Sequence, residues 1–310
     1  MNDNVYLYSV NAGTPPQLAL DHLAAIPVAG LFKGSYTAFA VLTFGDATYV
    51  AGYAKADGNL DFYRFSEGAP WLDYAAGTTV GAGWDQIDFL SLANTPYALL
   101  YRSDNGNFVF VSVTERLDAG SRYAYSRRHA PAATKGFSMV KPFVLGGGIV
   151  IMAYSYDSGA MCMYGLSAVA SSPSGVAPLL VRVLEDFTWA KGWTRFAFFQ
   201  LGAGNFFLKT NVLYPNVNID HVRDDPATGT SEIATNMDLP DAMQLQIVAP
   251  FKRDNGDPHF LAYRGDGATN LYRIHSDCQG WTKLGATNLP VAATTILFPS
   301  TTAGQRCLVI

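Results

Sequence analysis

The sequence predicts an all-β protein, one six-bladed β-propeller of four-stranded antiparallel blades spanning residues 1–310. Three observations predict it. A block of aromatic and aliphatic runs recurs about every 52 residues. Turns rich in Gly, Asn and Asp, not helical stretches, join the runs. The one incomplete copy becomes complete when the end of the chain is read on into its beginning.

The clearest copy starts at Gly83-Trp84. Trp84 leads a first strand through Gln86, Asp88 and Leu90 to Leu92. A second strand runs from Pro96 to Tyr101, and Asp104-Asn105-Gly106 turns it into a third, Phe108–Val111. The positions of Trp84, Leu92, Tyr101 and Gly106 are held in the preceding copy by Tyr36, Phe44, Tyr53 and Gly58, and in the following one by Phe137, Leu145, Tyr154 and Gly159. A fourth copy opens at Gly192-Trp193 and passes Leu201. A fifth, looser one carries Ile247, Pro250-Phe251, Phe260–Tyr263, Gly267 and Leu271–Ile274. The sixth is split. Thr295–Phe298 and Arg306–Ile310 supply its first two strands, Asn4–Val10 the third, and Pro16–Asp21, the only stretch with a helical look, lies in its outer part. A blade shared by both chain ends closes the ring and removes the most exposed sheet edges. Fourth strands are the least alike, as in Pro70–Tyr74 and Gly280–Leu284. Near-continuous apolar runs such as Ile149–Tyr154 imply burial on both faces, as between two neighbouring blades.

Composition narrows the function classes. Hydrophobic residues make up 49% and charged residues 15%, enough for a large core and too apolar for disorder. A net charge of −4 gives no basic footprint, so no nucleic-acid partner is expected. No apolar run is long enough for a membrane helix, so no membrane partner is expected either. The start, Met1-Asn2-Asp3-Asn4, does not read as a secretory signal, which predicts a cytoplasmic protein or one released without such a signal. Cys162, Cys278 and Cys307 are an odd, widely spaced set in apolar stretches and read as small buried hydrophobes. His22, His129, His221, His259 and His275 form no metal-binding spacing, and neither a metal nor a cofactor is expected.

Each motif has a plain structural role beside a functional one. The turns Asp57-Gly58, Asp104-Asn105-Gly106, Asp157-Ser158-Gly159 and Asp266-Gly267 place a ring of acids, yet tight hairpins demand these residues anyway. Tyr53, Tyr101, Tyr154 and Tyr263 read as blade-to-blade packing, as do Trp84, Phe137 and Trp193. Trp71 and Trp281, nearer the outer strands, and Tyr214 are candidate ligand contacts. Gly146-Gly147-Gly148 and Gly202-Ala203-Gly204 join strand to strand with no Lys-Ser/Thr after them, so neither is a phosphate loop. Arg122–His129, basic with interleaved aromatics, falls where an outer edge strand is expected, and charges there block edge pairing.

The sharpest departure from a bland core lies on the first strands, which surround the channel of a propeller. Gln86, Arg195 and Gln246 fall at one level by counting, and Asp88 with Lys141 at the next. Charges there need water or a partner, and Asp88 and Lys141 occupy neighbouring blades. Copy four also breaks the turn rule: Asn211–Asn216 replaces the Asp-Gly turn, and Asp220-His221 follows.

The split six-fold repeat resembles small fungal fucose-binding propeller lectins, over the whole chain and at the level of repeat length and closure. That resemblance implies sugars held between blades by a recurring Arg, Glu and aromatic. In this sequence Arg102 and Arg264 follow the repeated Tyr, Lys55 and Ser155 stand there in two other copies, and no Glu recurs on the third strand.

Two functions follow. One is a lectin-like binding propeller for a carbohydrate or other small polar ligand, held by residues among Gln86, Asp88, Lys141, Arg195, Gln246, Tyr214, Trp71 and Trp281. The other is a metal-free, cofactor-free isomerase, cyclase or lyase whose acid–base groups are Asp88, Lys141, Arg195 and His221 at the central channel. Several similar rim pockets favour the first, and a single charged central pocket favours the second.

Overall fold

The computed structural model describes residues 4–12, 18–113, 135–145, 147–171, 175–239, 242–253, 256–301 and 304–310. In chain order, β1 (Asn4–Ala12) and β2 (Leu18–Pro27) begin the blade shared by the termini. Blade one is β3 (Ala38–Phe44), β4 (Ala47–Ala54), β5 (Asn59–Phe65) and β6 (Leu72–Thr79); blade two is β7 (Gln86–Leu92), β8 (Thr95–Arg102) and β9 (Asn107–Ser112). Blade three is β10 (Met139–Leu145), β11 (Gly148–Tyr154), β12 (Met161–Ser171) and β13 (Gly175–Asp186). Blade four is β14 (Trp193–Leu201), β15 (Gly204–Asn211), β16 (Val217–Val222) and β17 (Thr230–Met237); blade five is β18 (Leu245–Lys252), β19 (Pro258–Arg264), β20 (Ala268–Ile274) and β21 (Trp281–Asn288). The shared blade is completed by β22 (Ile296–Leu297), β23 (Ser300–Thr301) and β24 (Gly304–Val309).

Strands within each sheet pair antiparallel in sequence order from the channel outward, giving a six-bladed propeller. The shared blade runs β22, β24, β1, β2. Its closing register sets Tyr6 opposite Val309, Leu7 opposite Leu308 and Tyr8 opposite Cys307. The outer stretch after Pro16 is strand β2, not helix, as its place in the split blade implies. The place of blade two's outer strand, including Arg122–His129, lies outside the described residues.

The core is layered between blades, not within them. Six clusters of buried side chains each join two adjacent blades, for example Leu42, Tyr53 and Phe62 with Trp84, Leu100 and Val109. Another joins Val5, Leu7 and Leu308 to Tyr36, Val50 and Tyr63. This explains the apolar second and third strands: both of their faces meet a neighbour, and β11 is buried at every residue after Gly148. The three cysteines are buried and join in no disulfide.

The repeated turn has a double cause. Gly58 and Gly159 adopt φ of +74° and +77°, a region open to glycine. A Cβ there would also stand 2.3 Å from the Gly81 carbonyl carbon or 2.2 Å from the Trp189 oxygen, in the connector leading to the next blade.

The repeated tyrosine is a latch between blades. Tyr53 donates its hydroxyl to the Gly81 carbonyl (2.9 Å) and accepts from the Trp84 N–H (3.1 Å). Tyr154 does the same with Ala190 (2.7 Å) and Trp193 (3.2 Å), and Tyr263 with Pro290 (2.8 Å) and Ala293 (2.9 Å). Tyr101 accepts from the Phe137 N–H at 3.1 Å. Each hydroxyl satisfies backbone groups of the connector that aims the following inner strand.

Candidate functional site

The inner strands set the channel. Where β7, β10 and β14 begin, a cavity of about 400 Å³ opens, walled by Gln86, Asp88, Ser138, Lys141, Trp193 and Arg195 among others. Four of the residues singled out from the sequence thus meet in one place. Asp88 and Lys141 lie at the same level, opposite Leu99 and Met152 on their partner strands, and form an ion pair of 2.5 Å between Nζ and Oδ2. Their side chains are 18% and 40% exposed, so water reaches the pair from the channel. Gln86 Nε2 donates to the Ser138 carbonyl at 3.2 Å, tying blade two to blade three.

Arg195 arrives by a different route. Between Thr194 and Ala197 the β14–β15 register slips, and Arg195 sits in that bulge with φ +49°. For a long side chain this is strained backbone, of the kind found where a side chain is re-aimed. Its Nη1 donates to Thr194 Oγ1 at 2.6 Å, and its Nε is enclosed without a partner. Burial pushes the guanidinium below its ordinary pKa, which leaves it cationic all the same.

The other sequence candidates do not join them. Gln246 occupies a similar bulge in β18, but it is exposed, its amide lies against Gly265, and it is not among the cavity walls. The bulges mean that Gln86, Arg195 and Gln246 share a level by counting but not by pairing, since Gln86 pairs regularly with Tyr101. His221 packs at a tilt against Phe206, ring centroids 4.8 Å apart, on strands β16 and β15, away from the walls of this cavity. Trp281 packs edge-on against Phe260 at 5.6 Å, and Trp71 lies half-buried against the layer between blade one and the shared blade. Tyr214 is 59% exposed and stands clear of the cavity.

Sequence reasoning passed over one set of residues. The residue after each leading aromatic is polar: Thr37, Asp85, Ser138 and Thr194, with Thr294 in the shared blade. Thr37, Ser138, Thr194 and Thr294 donate their hydroxyls to the last carbonyls of the second strands, at Tyr53, Tyr154, Thr210 and Ile310. Asp85 does the equivalent as an acceptor, taking Ser103 N–H (2.8 Å) and Oγ–H (2.6 Å) and pairing with Lys55 at 2.5 Å. Burial alone would raise the Asp85 pKa, but Lys55 and Ser103 outweigh it and hold the carboxyl at about 2. The polar position was visible in the repeat alignment. It carries the mouth of the channel, because Ser138 and Thr194 line the cavity.

A second cavity, about 410 Å³, opens at the opposite end, and Phe198 and Pro250 wall both. Between the shared blade and blade one lies an apolar pocket of about 300 Å³ lined by Phe32, Tyr36, Phe39 and Ile310. These three cavities differ in the residues that line them. Among the described residues no cluster of His, Cys, Asp and Glu has metal-binding geometry. No helix there is long and apolar enough to cross a membrane.

No protein-family model and no curated protein matches the sequence. Solved structures do. A candidate 6-phosphogluconolactonase from Bacteroides fragilis superposes with a TM-score of 0.56 at 12% identity, covering 99% of this chain and 88% of that one. A similarly described protein from Bacteroides uniformis gives 0.52 at 14% identity, covering 99% and 89%. An exo-β-1,3-galactanase from Clostridium thermocellum gives 0.50 at 11% identity, covering 84% of this chain and 66% of that chain. At these identities the likeness carries the propeller fold and nothing finer, so the resemblance to fucose-binding lectins rests on repeat architecture alone.

Proposed function

We propose that this propeller binds one small polar ligand carrying an anionic group, a sugar acid or sugar phosphate, at the channel mouth formed by blades two, three and four. One observation carries the reading: Arg195, on strained backbone, lines the same cavity as Lys141 and Gln86, with Nη1 held by Thr194. A carboxylate or phosphate offers a guanidinium two acceptors in its own plane. The Ser138 and Thr194 edges and the Trp193 and Phe196 rings give such a ligand hydroxyl partners and an apolar wall. Sugar-derived compounds head the panel because the three structural likenesses named above are to proteins described by sugar chemistry.

The test is thermal shift and calorimetry with inorganic phosphate, glucose 6-phosphate, gluconate and glucuronate. At least one should raise Tm and bind, and Arg195→Ala should abolish the effect while keeping the parent's circular dichroism. No stabilisation by any of the four, or equal binding by Arg195→Ala, sinks the proposal.

The enzymatic reading keeps one specific support, that the Asp88–Lys141 pair lines the channel cavity while Ala40, Ala197 and Val248 hold the matching places in other copies. A multivalent lectin gains from copies of one site, whereas acid–base chemistry needs a single Asp88–Lys141 pair. Turnover of a bound sugar acid that Asp88→Asn lowers at unchanged affinity would favour the enzyme.

A further inference from the structure

The opposite mouth of the channel has a composition the first lacks. Three pairs of nearly parallel rings stand around it: Phe143 with Phe198 (centroids 6.1 Å, 20° between planes), Phe199 with Phe206 (5.7 Å, 17°) and Phe251 with Phe298 (4.5 Å, 20°). Five of these rings wall the cavity of about 410 Å³ there, and Phe143, Phe198 and Phe206 are only half-buried. Phenylalanines at a soluble protein's surface bring no hydrogen bond of their own, so a cluster left half-covered around a cavity marks a surface with something to cover it.

The polar groups among them are pre-set. Lys252 Nζ donates to Gln200 Oε1 (3.3 Å), Gln200 Nε2 to Asn205 Oδ1 (3.2 Å), and Asn205 Nδ2 to the Val144 carbonyl (2.7 Å). This relay crosses blades five, four and three and locks the amides at the rim. Gln305, on β24 across the mouth, lines the same cavity, and its Oε1 is enclosed with no donor. Lys252 brings the only formal charge among the lining residues, and it keeps ammonium protons beyond the one given to Gln200.

We infer that this mouth is a second binding site, for a neutral pyranose ring. A pyranose has apolar C–H faces that lie flat on aromatic rings and an equatorial rim of hydroxyls that donate and accept. The cavity supplies both halves: ring faces from Phe143, Phe198 and Phe206, and for the hydroxyls the Lys252 ammonium with Ser300 beside it. An anion is the poorer occupant, since one exposed lysine is its only charged partner. The site is distinct from the anion site at the other mouth, and the two stand or fall separately.

The experiment is saturation-transfer NMR on the full chain with methyl β-galactopyranoside, methyl β-glucopyranoside and methyl α-mannopyranoside. Saturation should reach ring protons of at least one glycoside. Lys252→Met should weaken that binding about tenfold, the loss expected of one charge-assisted hydrogen bond. Phe143→Ala should weaken it as well, and both variants should keep the parent's Tm within a few degrees and its response to the anionic probes. Absence of transfer to all three glycosides overturns the inference. So does a Lys252→Met variant that binds the glycoside as the parent does.

Discussion

Lys141 breaks an apolar strand, and the repeat itself asks for no lysine there, since Ala40, Asp88 and Val248 hold matching places in other copies. Its partner Asp88 stands at the same level of the preceding blade, but water reaches both groups. An ion pair of that exposure contributes about 0.2–1 kcal/mol, not the 3–5 kcal/mol of a buried pair. Lys141→Ala should therefore move Tm by only a few degrees while lowering affinity for the anionic probes; a large loss of Tm with binding intact would make the lysine structural. Asp85 and Asp220 give a sharper pair, because their shifts oppose. Asp85, held at about 2, stabilises the fold above its unfolded value near 4 and stops doing so as the pH falls through its folded value. Burial raises Asp220 to about 6 against the pull of Lys209, 2.8 Å away, so its contribution is complete below pH 4 and is lost as the pH rises through about 6. Chemical denaturation from pH 2 to 7 should show the stability gap between parent and Asp85→Asn opening between pH 2 and 4. The gap between parent and Asp220→Asn should shrink between pH 4 and 6. Parallel pH profiles for the two variants would contradict both assignments. At this scale the sequence was most legible where chemistry is conspicuous: Asp88, Lys141 and Arg195 stand out because charge in an apolar run has few structural uses. The bulge that turns Arg195 into the cavity and Gln246 away from it adds one residue to a strand and leaves no compositional mark.

Strands and turns were legible for a related reason, since a propeller asks each blade for the same pieces and six copies can be read against one another. The tyrosine closing four of the second strands was readable as interblade packing, and its hydroxyl proves to do more than its ring. It bridges a carbonyl and an N–H of the connector that starts the next blade. Tyr154→Phe keeps the ring and strips that bridge, leaving the buried Trp193 N–H and the partly exposed Ala190 carbonyl without their partner. The expected cost is about 1–3 kcal/mol, read as a lower denaturant midpoint. Tyr214→Phe, at an exposed hydroxyl, is the control and should leave the midpoint where it is. Equal midpoints for Tyr154→Phe and the parent would mean that packing alone holds the connector. Copy four lacks the tyrosine. Thr210 stands in its place, and Asn211 beside it donates to the Lys191 carbonyl at 2.9 Å, in the connector before its own blade, and accepts from the Leu213 N–H at 2.8 Å in its own turn. The broken turn rule at Asn211–Asn216 thus marks a second strand tied back to the entry of its own blade, beside the strand that carries Arg195.

At the scale of the molecule, six interblade layers must close on one another, and the last closure falls between the two ends of the chain. Tyr6, Leu7 and Tyr8 lie opposite Val309, Leu308 and Cys307, so β24 and β1 already have the register of a hairpin whose turn is missing. Joining residue 310 directly to residue 1 supplies the turn in the place where other blades carry Asp-Gly, with the few residues before β1 as the loop. A circular permutant joined there and opened between Gly45 and Asp46, at the exposed tip of the β3–β4 hairpin, keeps every interblade layer. It should fold with the parent's circular dichroism and a Tm within roughly 5 °C, because only the site of one loop closure has moved. Leu7→Ala in the parent, at a fully buried position of the closing strand, should cost about 2–5 kcal/mol. The same substitution in the permutant should cost a similar amount, since its packing is unchanged. A permutant that fails to fold would place the termini in separate sheets and break the ring on which both channel sites depend.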